Sequence, residues 1–69
     1  AKNANEQLRK MLSSDADAVA RANAARALGA ADDKQAVDLL IKAATSDADS
    51  RVRVSAVRSL AQLKDAKAA

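Results

Sequence analysis

The side chains with chemistry to offer are aspartates and arginines, because the chain has no His, Cys, Tyr, Trp or Phe. Two carboxylate doublets stand out, Asp15/Asp17 and Asp47/Asp49, each inside the tetrapeptide Ser-Asp-Ala-Asp. Paired carboxylates can share acid–base work or hold Ca²⁺ or Mg²⁺. Ser and Asp also compete for backbone hydrogen bonds, which places them in turns and at helix N-caps. A calcium loop would want more oxygen ligands and a well-placed glycine. A turn Asp followed by a capping Asp explains why both recur at the same place in two stretches. The expectation is therefore no catalytic residue, no metal site and no cofactor: a chain that is not an enzyme.

Arginines follow the doublets at fixed distances. Arg21 and Arg53 each lie six residues after the turn Asp and four after the capping Asp. Four residues is one helical turn, so the spacing predicts contacts of Asp17 with Arg21 and of Asp49 with Arg53. Arg26 and Arg58 lie further on. Helical geometry points them away from the apolar stripe, together with Val19, Ala22, Asn23, Arg51, Val54 and Ser55. Arg26 and Arg58 would form a short guanidinium row, suited to carboxylates on a protein or to phosphates. These eight residues are the candidate partner-binding set; the candidate structural turn set is Asp15, Asp17, Arg21, Asp47, Asp49 and Arg53.

What positions these residues is a repeat. Residues 1–37 laid over 33–69 give fourteen identities at a shift of 32, and ten of them are not Ala. A period of this size signals stacked helical units. In the second unit Asp33 can cap a helix from about Lys34 to Thr45. Its inward stripe would be Ala36, Val37, Leu40, Ala43 and Ala44. Asp49 can cap the next helix, about Ser50 to Lys64, with Val52, Ala56, Leu60 and Leu63 aligned. The first unit repeats this, with a helix near Lys2–Ser13 and another near Ala18–Ala31 capped by Asp17. Gly29 near its end helps break the chain before the next unit.

The rest of the composition agrees. The single Gly, the absence of Pro and the abundance of Ala, Leu, Lys, Arg and Gln favour helices. Of 69 residues, 34 are apolar and 20 of those are Ala, which predicts a thin core. No apolar run is long enough to cross a membrane. Net charge is only +3 and no aromatic can stack a base, so a nucleic-acid partner is disfavoured.

The pattern Asp-Ala-Asp-x-x-Val-Arg-x-x-Ala-x-x-x-Leu, complete at Asp47–Leu60, resembles the HEAT-like repeat of the phycobilisome-lyase type. Asp47, Asp49, Val52, Arg53, Ala56 and Leu60 carry it in the second unit. Asp15, Asp17, Arg21, Ala24, Leu28 and Gly29 carry it in the first. Ala20 stands where that pattern has Val, and Ala61 where it has Gly. The resemblance implies an all-α fold, a right-handed α-α superhelix of four helices in two helix-turn-helix repeats, about 2–31 and 34–64. It also implies an Asp–Arg ladder between units and a concave surface lined by second helices.

The expected function is a non-catalytic protein–protein interaction or scaffold module that binds through the second helices. The family resemblance also raises an accessory subunit of a bilin lyase or similar modifying enzyme, although no nucleophile or bilin-stacking aromatic is present. A nucleic-acid-binding module is the weaker alternative. Leu39 and Ile41 flank Leu40 with apolar groups, where the first unit has polar Gln7 and Arg9. Lys2–Ser13 therefore reads as an outer edge. Residues 65–69 match the start of a first helix, 33–37, and so read as the beginning of a further unit. Stacks need about three units to bury a continuous core. The expectation is a fragment of a longer array, or a chain that completes itself by self-association through its open end.

Overall fold

The computed structural model describes residues 2–68, with side chains for residues 4–64. Among these the chain is helical throughout: α1 Lys2–Ser14, α2 Ala18–Ala30, a 3₁₀ turn Lys34–Ala36 leading into α3 Val37–Ser46, and α4 Ser50–Ala68. The four helices form two layers, α1 with α3 and α2 with α4, and α2 and α4 share the most extensive contact. The Cα framework is a slab of 34 × 25 × 16 Å.

Helix starts follow from the capping aspartates. The Asp17 side chain accepts from Val19 N at 2.9 Å, and Asp49 accepts from Arg51 N at 2.8 Å. Each thereby satisfies a backbone donor that the helix leaves open. Asp33 does the same for Gln35 N at 3.1 Å, but the turn it starts is 3₁₀ before the chain becomes α-helical at Val37. Between α2 and this turn Asp32 takes φ 55°, a left-handed conformation that Asp tolerates better than most residues.

At the other end α4 runs unbroken to Ala68, past the Lys64 end predicted from sequence. Asp65–Ala68 are thus the last turn of α4 rather than the start of a new helix, and Ala69 lies outside the described residues. Lys, Ala and Asp continue a helix, and nothing after Lys64 supplies a Gly or Pro to stop it.

The core is a single cluster running from Leu12 through Ala24, Ala25 and Leu28 to Ala36, Leu40, Ala43, Val52, Ala56 and Leu63. Val37, Ala44 and Leu60 pack at its margin, so the predicted stripes of α3 and α4 are the inward faces. A buried Ser59 joins the α4 stripe. The flanks of α3 divide differently from the expectation. Leu39 packs toward α1, whereas Ile41 is 47 % exposed. Its counterpart Arg9 is half-buried and forms an ion pair with buried Asp33. Arg9 is therefore an internal contact, and of the two polar flanks only Gln7 lies in solvent.

Candidate functional site

The Ser-Asp-Ala-Asp turns are closed on themselves. Asp15 Oδ1 accepts from Asp17 N at 2.8 Å, and Asp47 Oδ1 accepts from Asp49 N at 2.9 Å. These Asx turns aim the first carboxylate along the stack and the second at the following helix. Among the described residues no group of three or more acidic side chains converges to hold a metal ion.

Arg21 leaves α2 toward this turn, as helical side chains lean toward the N-terminus. Its NH1 donates to the Asp15 carbonyl at 2.8 Å and more weakly to that of Ala16 at 3.3 Å. Its Nε and NH2 donate to Asp47 Oδ2 and Oδ1 at 3.0 and 3.1 Å, a two-pronged contact between units. Arg21 and Asp47 are both largely shielded from solvent. The hydrogen bond from Arg21 holds the Asp47 carboxyl below the usual range, and the same bond pushes the Arg21 guanidinium up. Arg53 repeats the inner half of the arrangement, its NH1 donating to the Asp47 carbonyl at 2.7 Å.

The predicted one-turn pairs do not form. The carboxylates of Asp17 and Asp49 are turned onto backbone N–H groups at the second residue of their helices, out of reach of the arginine on the next turn. Asp49 pairs instead with Arg51, at 3.1 Å from Nε and 2.8 Å from NH2. That contact, with the backbone bond, lowers Asp49 to about 2.

The second-helix face carries Val19, Asn23, Arg26, Arg51, Val54 and Arg58 in the open, with Ser55 half-buried. Arg26 and Arg58 make no ion pair among the described residues. Ala22 departs from the expected set, being only 8 % exposed. It lies three residues before Ala25 and seven before Gly29, both of which adjoin Ser59 of α4, so its methyl faces the partner helix.

Sequence reasoning missed three participants. Ser59 is buried and donates to the Ala25 carbonyl across the α2–α4 contact. Asp33 is a buried carboxylate held by Arg9 as well as a cap. Val57 is 54 % exposed on α4 and lines a shallow apolar groove with Arg53, Val54 and Arg58. For Ser59 a signal existed, since it falls four residues before Leu63 on the same stripe. Gly29 also offered one, as a small residue where a helix approaches closely.

Two helix pairs stacked by a 32-residue shift, tied at their turns by an Arg–Asp contact, define an α-α superhelix of repeated units. A family model described as HEAT repeats matches residues 5–69. The chain belongs to that family, whose members generally mediate protein–protein interaction. The match is to HEAT repeats as a class and does not single out the phycobilisome-lyase type. No curated protein and no solved structure matches the chain. Among the described residues no helix is long and apolar enough to cross a membrane.

Proposed function

We propose that this chain is a non-catalytic interaction module that binds an acidic protein segment on the face of its second helices. One observation carries the reading: Arg26 and Arg58 are exposed and unpaired among the described residues, whereas Arg9, Arg21 and Arg51 are engaged by aspartates. The same position in two stacked units thus offers a guanidinium with no internal role. A planar guanidinium grips a carboxylate with two hydrogen bonds, which suits a Glu- or Asp-bearing segment. Exposed Val19 and Val54 on the same helices add apolar contact beside the charges. Two guanidinium groups, a net charge of +3 and no aromatic side chain offer little to neutralise or stack a phosphate backbone and its bases.

Panning a random peptide library against the folded chain tests this. Acidic peptides should be enriched and should lose binding to an Arg26→Glu/Arg58→Glu variant. Enriched peptides that bind the variant equally well would overturn the assignment of the face. Tighter binding to duplex DNA than to any peptide, with affinity falling steeply as salt rises, would replace it with a nucleic-acid reading.

A further inference from the structure

The contact that joins the two units leaves matching halves at the two ends of the molecule. On the first unit the joining face comprises Arg21, Ala22, Ala25, Leu28 and Gly29, with Leu12 from the other layer. The apolar members are buried. Thirty-two residues later stand Arg53, Val54, Val57, Leu60, Ala61 and Ala44. Val54 and Val57 are 51 and 54 % exposed, Ala61 is exposed, and Leu60 and Ala44 are half-buried. At the opposite end Asp15 stands where Asp47 stands in the second unit, half-buried. Its Oδ1 is bound by Asp17 N, and its Oδ2 has no hydrogen-bond partner among the described residues.

We propose that a second copy of this chain docks head to tail on the open face of α4, with Arg53 of one copy gripping Asp15 of the next. This surface, on the outer flank of α4, shares Val54 with the peptide-binding face and adjoins Arg58, but its grip is Arg53 on Asp15 and it leaves Arg26 free, so it goes beyond the peptide-binding reading.

Three features of the two ends favour a copy of the chain. First, Arg53 is already aimed. Its NH1 is fixed on the Asp47 carbonyl at 2.7 Å, as that of Arg21 is fixed on the Asp15 carbonyl at 2.8 Å. In Arg21 that leaves Nε and NH2 for the neighbouring carboxylate. In Arg53 the same two nitrogens have no partner among the described residues. Second, the sizes are exchanged. Leu12 and Ala43 line one depression between the units, and their counterparts across a copied junction are Ala44 and Met11. The large residue has moved to the other side of the joint. Third, Ala61 replaces Gly29 and Ala27 replaces Ser59, which sets the copied helices somewhat further apart. A Cβ at Gly29 would lie 2.6 Å from Ser59 Cβ, so an Ala–Ala junction must open by about an ångström to reach ordinary contact. Val57 in place of Ala25 supplies bulk for that wider joint. A head-to-tail contact of this kind is heterologous and does not close on itself, so association grows with concentration.

Cysteine cross-linking tests both contact and direction, because the natural chain has no Cys. Ala61→Cys and Ala27→Cys, one of them ¹⁵N-labelled, are mixed at millimolar concentration under mild oxidation. The expected product is the mixed disulfide, several-fold above either homodimer by mass spectrometry. Adding Val57→Glu to the Ala61→Cys chain should abolish the mixed product, whereas adding it to the Ala27→Cys chain should leave the yield unchanged. Val57 is exposed, so the change spares the fold, and circular dichroism of each variant checks this. No disulfide, a statistical mixture, or equal effects of Val57→Glu on both chains would overturn the proposal. Arg26→Glu should not alter the yield, which separates this outcome from the peptide result.

Discussion

Replacing Gly29 by Ala sets two effects of known size against each other. In an open helix position Ala is better than Gly by about 1 kcal/mol. Here the added Cβ would lie 2.5 Å from Ser59 Oγ, 2.6 Å from Ser59 Cβ and 2.8 Å from Ser59 Cα. The hydroxyl can swing away only by dropping its bond to the Ala25 carbonyl, at about 1 kcal/mol. Backbone cannot swing, so α2 and α4 must part by roughly an ångström along their main contact. Overpacking of that kind costs about 1–3 kcal/mol. The net expectation is a destabilisation of about 1–3 kcal/mol, each kcal/mol lowering the melting midpoint by about 4–8 °C in a domain this small. Thermal melts followed by circular dichroism read this directly. Ala30→Gly, at the neighbouring exposed position, measures the propensity effect alone. A Gly29→Ala chain that gains what Ala30→Gly loses would refute the close approach of the two helices.

Other expectations can be checked with the same melts. Arg21→Ala should lower the midpoint more than Arg53→Ala, because Arg21 holds Asp47 as well as a turn carbonyl, and Arg58→Ala should leave it nearly unchanged. Leu40→Ala should cost about 2–5 kcal/mol, a large share of the total for a domain of this size. Acid should unfold the chain in a defined window. Asp47 and Asp49 are both lowered, so their contribution is complete above the unfolded carboxylate value of about 4 and is lost as pH falls through the folded values, about 2 for Asp49. Melting midpoints from pH 6 to pH 2 should fall below pH 4, and Asp47→Asn should flatten that fall.

The parts of this fold that were legible in the sequence are local or periodic. Asp17 and Asp49 cap their helices through bonds spanning two residues, so composition and spacing alone place them. The apolar stripe of α4 follows from helical periodicity. The contact of Arg21 with Asp47 spans 26 residues and was reachable only through the repeat and its family resemblance. What stayed hidden depends on the distance between layers. Ala22 belongs to the joint because a methyl fits where α2 meets α4, while Val54 at the same helical position lies open. Ser59 and Asp33 are polar residues whose burial is set by partners on other helices, Ala25 and Arg9. The α4 stripe marks the position of Ser59 but not the carbonyl it meets, and nothing near Asp33 in sequence announces Arg9. Asp65–Ala68 misled for the opposite reason: the repeat promised a new start where local propensity simply carried α4 onward.

The two layers of the slab do not meet equally well. On the α2–α4 side the backbones are so close that one added methyl would collide. On the α1–α3 side contacts are sparse, and an open depression lies among Leu12, Leu39, Ala43 and Asp47. A joint that is tight on one side and slack on the other is mechanically one-way. Motion about the Gly29–Ser59 contact that closes the α1–α3 side has open space to enter. Curling the other way would press α2 into α4, which has no room. Compression of the joint is therefore met first by the α2–α4 side.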